Sequence, residues 1–376
     1  MRLAIPTLIL FLYIFTSLVF FLPCRPLVKV AAGLVLLVIG LKYLIYEQIG
    51  GSFIAPKLPH FLLLSLEILF GAMVILAFLL VLKDGLALLL WLGRCLGSSW
   101  HLPFTPVIRS SGLVLAALGL AFFATWQSLV VPDVRNVEIP LPRLPKSLDG
   151  LTIVQLSDIH IGPLLKGDWL KAVVVKTNAQ RPDLVVLTGD MIDGYADALQ
   201  NDIAPLGELQ AKYGVYGVTG NHEYYFQAQE WLPVFARLGI VMLDNEHRAL
   251  SIDGQELVLA GVPDSTVRQF GGTGPDIGRA LEGAPNGIRI LLKHKPSGPP
   301  SGTKVDLQLS GHTHGGHLFF LKSLIASFNG NLVAGLLTLD GMQIYVSPGT
   351  GLWSGFSCRL GVPSEITRII LRAKKD

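Results

Sequence analysis

The stretch from residue 310 to residue 317 reads Ser-Gly-His-Thr-His-Gly-Gly-His, with three histidines among glycines. It follows an apolar run, 305–309, that predicts a buried strand. Because glycine lets the backbone turn sharply, His312 and His314 can both direct their rings into one pocket at the end of that strand. Neutral imidazole is the commonest metal ligand in proteins. The pair therefore indicates a metal site, although a packing or surface role would be an alternative if the pair stood alone.

Four other apolar runs in the second half of the chain are each followed by residues that can bind metal. The runs are 151–156, 183–187, 214–218 and 288–292. In chain order, the residues after them are Asp158 and His160, then Asp190, then Asn221, then His294. Ligands of open α/β sheets bind at the carboxyl ends of strands, so we expect all of these side chains to meet His312 and His314 at one sheet edge.

This donor set contains two Asp, one Asn and four His, which suits Mn, Fe or Zn better than Ca or Cu(I). Seven ligands are too many for one ion that keeps positions open for a substrate. They suit two divalent ions about 3.5–4 Å apart that share a bridging carboxylate and a hydroxide. The helical patterns at 168–180 and 227–238, which alternate with the apolar runs, predict an α/β domain to position these residues.

The first half of the chain is a predicted membrane domain. Hydrophobic residues make up 51% of the 376 residues, and the excess lies almost entirely before residue 132. Four segments are long enough to span a bilayer, namely 3–22, 27–46, 61–82 and 107–131. A fifth span is possible. The stretch 85–96 is too short to span, and we expect it to lie at the interface or to re-enter. A cleaved signal peptide is disfavoured, because Pro-Cys-Arg-Pro at 23–26 is not a small-residue cleavage site.

Two ionisable residues fall within the predicted spans. Lys42 lies near the end of the second span and can extend its ammonium group to the membrane surface. Glu67 lies inside the third span, where a carboxylate is a functional candidate, unless it reaches the lipid headgroups. An even number of spans places the N-terminus and the second half of the chain on the same side. The Lys and Arg bias of the loops is slight and favours an extracytoplasmic position for the second half of the chain, with the cell (plasma or inner) membrane as the expected membrane.

The composition also sets the domain boundaries and excludes some partners. Residues 1–131 are expected to form the transmembrane domain, with about four helices, and residues 151–376 the α/β domain. Between them, 132–150 contains Pro140, Pro142 and Pro145 and predicts a stiff, extended linker. A net charge of +3, without a basic tract among aromatic residues, does not indicate a nucleic-acid polymer as a partner.

The polar residues after the strands resemble, in order, the five motifs of the calcineurin-like metallophosphoesterase family. The motifs are Asp158-Ile159-His160, Gly189-Asp190, Gly220-Asn221-His222-Glu223, His294 and Gly311-His312-Thr313-His314. The sequences around 345–349 and 359–367 are similar to a bacterial membrane-associated branch of that family. The resemblance covers about residues 151–372. It implies two mixed β-sheets sandwiched between helices, with the site at the strand ends.

The resemblance also implies a role for each site residue. Asp158, His160 and His314 would hold one metal ion; Asn221, His294 and His312 would hold the other; Asp190 would bridge them. His222 would bind no metal. It would face the scissile phosphate and protonate the leaving oxygen after attack by a metal-bridging hydroxide. An imidazole suits this task, because the leaving alkoxide needs a proton donor with a pKa near neutrality.

The sequence thus predicts a membrane-anchored, metal-dependent phosphoesterase that acts on phosphomonoesters or phosphodiesters, with a lipid or envelope substrate as one option. A catalytically inactive metal-binding scaffold or sensor is the alternative, and a transporter with an accessory phosphoesterase is a third. Asp193 and Glu223 are either partners of the ligand histidines or solvated loop carboxylates. His317 is expected to be a hydrogen-bonded pocket residue. The apolar run 319–325 is either core or a lip that dips into lipid.

Overall fold

The computed structural model describes residues 4–298, 300 and 302–374. Up to residue 129 the described chain is mostly helical. Its helices are α1 (Ala4–Ile14), continued by a π-helix (Phe15–Phe20), α2 (Pro26–Gly40), α3 (Lys42–Ile49), α4 (His60–Cys95) and α5 (Pro106–Leu129). The helices after that point are α6 (Gly167–Asn178), α7 (Ala196–Ile203), α8 (Asn221–Tyr225), α9 (Ala228–Arg237), α10 (Ile277–Ala280) and α11 (Lys322–Phe328).

Two six-stranded sheets follow the apolar helices. The first has the order β1 (Asp133–Leu141), β12 (Glu365–Ala373), β2 (Thr152–Leu156), β3 (Leu184–Leu187), β4 (Val215–Gly217), β5 (Ile240–Met242). The second has the order β10 (Gly335–Leu339), β11 (Met342–Val346), β9 (Leu307–Ser310), β8 (Ile288–Leu292), β7 (Gln255–Gly261), β6 (Glu246–Ile252).

Both sheets are mixed, and their facing surfaces form one core. In the first sheet β2 to β5 are parallel, while β12 runs antiparallel to β2; in the second, β7, β8, β9 and β11 are parallel, with an antiparallel strand at each edge. Ile153 and Val186 of the first sheet share a buried apolar cluster with Leu259, Ile290 and Leu309 of the second. The predicted fold class, an N-terminal set of apolar helices followed by a two-sheet α/β domain, is confirmed.

The prediction of a linker over 132–150 is wrong for the first half of that stretch. Residues 133–141 form β1, which pairs in parallel with β12 in register from Asp133–Glu365 to Leu141–Ala373. Proline cannot donate a hydrogen bond to a neighbouring strand, so it is tolerated at a sheet edge, and β1 with Pro140 is the edge strand of its sheet. The prolines favour an extended backbone, which predicts a linker, and here that extended backbone forms a paired β-strand.

The apolar helices agree only in part with the four predicted spans. Helices α4 and α5 are each long and apolar enough to cross a membrane; α2 and α3, bent by 59° at their junction, form a third candidate, and the shorter helical stretch Ile5–Phe20 precedes them. The stretch 85–96 is not a separate interfacial segment, because α4 runs through it without a break. Lys83 and Asp84 lie within α4 and do not end it. They are satisfied by the N-terminal helical segment, because Asp84 accepts hydrogen bonds from Tyr13 and Ser17, and Lys83 donates to Ser17.

Lys42 and Glu67 form a buried ion pair, so neither side chain extends to the protein surface. Their Nζ and Oε1 atoms are 2.7 Å apart, and both side chains have 0% exposure. Glu67 also accepts hydrogen bonds from the hydroxyl of Tyr46 at 2.8 Å and the backbone N–H of Ser357 at 3.0 Å, while Lys42 donates to the carbonyl of Gly355 at 2.8 Å. The pair therefore binds two residues from the far end of the chain, Gly355 and Ser357.

The chain separates into two compact units with an interleaved sequence. The helical unit contains residues up to 127 together with Gly355–Cys358, and the α/β unit contains Ser128–Ser354 and the residues from Arg359 onwards. Within the helical unit, Phe356 packs edge-on against Phe70, with ring centroids 6.0 Å apart. The contiguous division predicted from the sequence omits this four-residue excursion.

Replacing Lys42 by Met is expected to destabilise the protein by about 3 kcal/mol or more, because it leaves the Glu67 carboxylate buried without a cation. The measurement is the midpoint of thermal unfolding of the full-length protein in detergent. Lys57→Met, at an exposed lysine of the same unit, is the matched control and should leave the midpoint unchanged. Equal midpoints for the two variants would contradict the structural role of the pair.

Candidate metal centre

The carboxyl ends of five parallel strands deliver the predicted site residues. Strands β2, β3 and β4 are neighbours in the first sheet, and β8 and β9 are neighbours in the second. Their parallel directions place the following loops at the same edge. All seven predicted ligands and His222 lie in or directly after these loops: Asp158, His160, Asp190, Asn221, His222, His294, His312 and His314.

Asp158, His160 and His314 form one group of potential ligand atoms. The Nε2 atoms of His160 and His314 are 3.3 Å apart. Oδ1 of Asp158 is 3.6 Å from Nε2 of His314 and 4.0 Å from Nε2 of His160. The loops that carry them are also joined, since the backbone N–H of His312 donates to Oδ1 of Asp158 at 3.0 Å.

Asp190, His294 and His312 form a second group. Oδ2 of Asp190 is 3.1 Å from Nε2 of His294 and 4.0 Å from Nε2 of His160, so this carboxylate lies between the two groups. The rings of His294 and His312 have centroids 5.1 Å apart. Asn221, the remaining predicted ligand, precedes His222, whose backbone N–H donates to Oδ1 of Asp190 at 2.8 Å.

Five of the predicted ligands have a left-handed backbone, which non-glycine residues rarely adopt. Their φ angles are 53° at Asp158, 53° at His160, 53° at Asp190, 72° at His312 and 48° at His314. Such conformations cost about 1–3 kcal/mol each and cluster at functional sites. Close backbone packing adds a second constraint. A Cβ on Gly189 would lie 2.7 Å from Cα of Gly220 and 2.8 Å from Nδ1 of His294.

Asp193 joins the ligand group to His222 through one carboxylate oxygen. Its Oδ1 accepts from Nδ1 of His160 at 2.9 Å and from Nδ1 of His222 at 2.5 Å. With Nδ1 of each ring held in this way, Nε2 is the atom that each ring presents to the site. Asp193 has 1% exposure, so the solvated-carboxylate interpretation is wrong. A carboxylate that orients ligand histidines in this manner fixes their tautomer and increases their basicity.

Glu223 contacts backbone groups, and none of its described hydrogen bonds goes to a ligand histidine. Its Oε2 accepts from the N–H groups of Asp190 at 3.0 Å and Gly220 at 2.6 Å, and its Oε1 accepts from Met191 at 2.7 Å. It thereby ties together the loops after β3 and β4. Burial and, after it, the nearby charge of Asp190 raise the pKa of Glu223 to about 7.

The histidines of the site differ in charge. Burial lowers the pKa of His222, but the carboxylates of Asp190 and Asp193 outweigh it and raise the pKa to about 9. The pKa of His312 falls to about 3, chiefly through burial and then through the charges of His294 and Lys295. Burial also lowers the pKa of His314 well below its ordinary value. These shifts favour the charged form of His222 and the neutral forms of His312 and His314. The charged form of His294 is favoured too, because its burial is outweighed by the charge of Asp190, which raises the pKa to about 10.

The donor set fits divalent metal ions. Nδ1 of His160 points to Asp193, so its Nε2 lone pair faces the Nε2 atom of neutral His314, an arrangement that a shared cation would stabilise. Oδ1 of Asn221 is buried and has no hydrogen-bond partner among the described residues. Since buried polar atoms are normally satisfied, this oxygen is suited to a metal ligand. Six of the seven residues lie in the two groups, and Asn221 immediately precedes His222, which binds Asp190; their assignment as ligands stays a prediction.

Arg359 is a site residue that sequence reasoning missed. It has 1% exposure, and its guanidinium donates to the carbonyl oxygens of His314 at 3.3 Å, Pro348 at 2.7 Å and Gly351 at 2.8 Å. It therefore supports the loop that carries His314. The ring of His317 lies 4.9 Å from that of His314, and the ring of Trp353 lies 6.5 Å from that of His222. A lone arginine has no sequence signal that marks it as buried.

Comparison with known proteins identifies the family. A model of calcineurin-like phosphoesterases matches residues 151–316. A transmembrane protein with metallophosphoesterase domain from Bos taurus is 36% identical over 345 residues, covering 85% of this chain and 76% of the relative. An uncharacterized metallophosphoesterase from Campylobacter jejuni is 34% identical over 274 residues, covering 72% and 71%. The metallophosphoesterase YkuE from Bacillus subtilis is 30% identical over 241 residues, covering 61% and 82%.

These matches define the chain as a metal-dependent phosphoester hydrolase with apolar membrane helices. It belongs to the calcineurin-like metallophosphoesterase family, so the resemblance inferred from the five motifs is confirmed.

Replacing Asp193 by Asn is expected to weaken Mn²⁺ binding by about 10–100-fold, because the neutral amide no longer orients His160 as the carboxylate does. The measurement is calorimetric titration of Mn²⁺ into the full-length protein freed of metal. Asp197→Asn, at an exposed position of α7, is the matched control. A purely structural role for Asp193 would instead lower the thermal unfolding midpoint and leave the Mn²⁺ affinity of the folded protein unchanged.

Proposed function

We propose that the chain is a membrane-anchored phosphoesterase that hydrolyses phosphomonoesters or phosphodiesters with two divalent metal ions. The observation that supports two ions is the position of Asp190: one carboxylate oxygen lies 3.1 Å from His294 and 4.0 Å from His160, between two groups of potential ligands. Asp158, His160 and His314 would hold one ion, Asn221, His294 and His312 the other, and Asp190 would contact both. Mn, Zn and Fe suit this donor set.

The ions would supply charge neutralisation for the phosphoryl oxygens and a bound water of lowered pKa. The remaining chemistry belongs to the protein. Despite burial, the carboxylates of Asp190 and Asp193 raise the pKa of His222, which favours its protonated form, and with Nδ1 bound to Asp193 the ring directs Nε2 towards the site, 3.8 Å from Oδ2 of Asp190. We assign it to protonating the leaving oxygen, which makes departure of the alcohol easier. Asp193 stabilises the imidazolium and fixes its orientation.

His222→Ala is expected to lower kcat for p-nitrophenyl phosphate or bis(p-nitrophenyl) phosphate by about 10²–10⁴-fold, the usual contribution of a positioned proton donor. The assay uses the full-length protein in detergent with Mn²⁺, and chelation by EDTA should abolish activity until metal is returned. His101→Ala, at an exposed histidine of the helical unit, is the control. Tight metal binding without turnover of either ester would instead support the inactive scaffold.

An amphiphilic substrate is the second part of this proposal. The apolar run 319–325 is not core: Phe319 and Leu324 are each 53% exposed, and Phe328, at the end of α11, is 77% exposed. We call these three residues the α11 patch. Leu324 and Phe328 are four residues apart on α11 and so lie on one face of that helix, and exposed apolar patches mark interaction sites. In a chain tethered by apolar helices, the occupant that suits this patch is a lipid surface. The extracytoplasmic side and the cell membrane remain sequence-based predictions.

If the α11 patch engages lipid, kcat/KM for phosphatidic acid in mixed micelles should exceed that for glycerol 3-phosphate. Replacing Phe319 and Leu324 together by Ser should reduce this preference by about tenfold or more, given about 1.5–3 kcal/mol for each buried apolar side chain. Val175→Ser, at an exposed valine of α6, is the control. Competition by soluble glycerol 3-phosphate without penalty would exclude lipid specificity.

A further inference from the structure

A cavity outside the chemistry described above is lined by Asp264, whose backbone N–H donates to the hydroxyl of Thr219, two residues before Asn221, so it lies close to the metal centre. It has a volume of about 540 Å³, and two lysines, Lys293 and Lys295, line it. They flank His294 in the segment that follows β8. Both lysines line the cavity, whereas the ring of His294 between them contacts Asp190 and the carbonyl of Thr188.

The lysines have different partners. Nζ of Lys295 is 2.9 Å from Oδ1 of Asp264 and 3.0 Å from the hydroxyl of Thr266. Asp264 is 2% exposed, and its charge is balanced by Lys295. Among the described residues, the hydrogen-bond partner of Lys293 is the hydroxyl of Ser297, at 2.5 Å. The two lysines and one carboxylate leave the cavity lining with one net positive charge, carried by Lys293.

The rest of the lining is suited to the carbon frame of a ligand. Phe328, Leu332 and Leu339 contribute apolar surface to the same cavity. Phe328 also belongs to the α11 patch, so one side chain borders both surfaces. A ligand anchored by one phosphate at the metal centre and bound by a second anionic group at Lys293 would place its connecting atoms along this apolar wall. Lysine is a common phosphate ligand in proteins, acting as a point charge.

We infer that this cavity, with Lys293 as its cation, is a substrate subsite for a second anionic group, and that the substrate class is a phosphoester bearing a second phosphate. This inference rests on the proposed phosphoesterase function and narrows its substrate. Lys293 acts by binding the distal phosphate, and Lys295 keeps Asp264 from repelling it. The hydrolysed ester lies at the metal centre, so the subsite contributes to affinity and specificity.

The test compares two inhibitors of p-nitrophenyl phosphate hydrolysis, propyl phosphate and propane-1,3-diyl bisphosphate, with full-length protein in detergent and Mn²⁺ in excess over both. We expect the bisphosphate to have a Ki lower by at least about tenfold, the equivalent of one charge-assisted hydrogen bond. Lys293→Met should bring the two Ki values to within about twofold, and Lys293→Arg should restore most of the difference. Lys304→Met, at an exposed lysine before β9, is the control.

Two results would overturn the subsite: equal Ki values in the wild-type protein, or a full bisphosphate preference in Lys293→Met. Either would leave the phosphoesterase function intact, since hydrolysis itself is observed. If no hydrolysis occurs, calorimetric titration of the bisphosphate into the Mn²⁺-loaded protein takes the place of Ki. Binding that is lost in Lys293→Met would then support the subsite while the proposed function fails, and absence of binding would reject both.

Discussion

One carboxylate oxygen, Oδ1 of Asp193, is the atom on which the organisation of the centre depends. A buried charge is costly unless it is compensated, and here two imidazole Nδ1 atoms compensate it, those of His160 and His222. The loops after β2 and β3 hold Asp193 in place: its backbone N–H donates to the carbonyl of Ile161 at 2.7 Å, and the N–H of His160 donates to the carbonyl of Asp190 at 3.1 Å. The contact links a group that would bind metal to the group that would move a proton.

The elements that carry the site follow closely from the sequence. Strands β2, β3, β4, β8 and β9 are buried on both faces, so they appear as short continuous apolar runs, and each observed strand lies within two residues of the run that predicts it. The parallel directions of these strands then bring the following loops together. Strands β10 and β6 are different. Their residues are mostly half-buried or exposed, so their apolar pattern is weak.

The parts that could not be predicted depend on partners distant in sequence. Strand β1 has a proline within it and is ordered because β12, more than 200 residues later, pairs with it. The position of Lys42 near the end of a predicted span suggests that it extends to the membrane surface. Its hydrogen bonds to Glu67 and to the carbonyl of Gly355 instead hold it in the protein interior. The left-handed backbone of five ligands is likewise held by the surrounding structure, because positive φ is uncommon for residues other than glycine even though aspartate and histidine tolerate it better than most.

Gly355–Cys358 belongs to the helical unit although the residues before and after it belong to the α/β unit. The two units therefore cannot be divided by a single cut in the sequence. A fragment that starts after α5 would retain Phe356 and Cys358 but lose Phe70, the side chain against which Phe356 packs, as well as the ion pair that binds the neighbouring backbone. Trp353 and Arg359, which border the excursion on either side, lie beside His222 and His314. Removing the helices would thus leave the segment Gly355–Cys358 without its packing partners, although the two residues that border it still contact the site histidines.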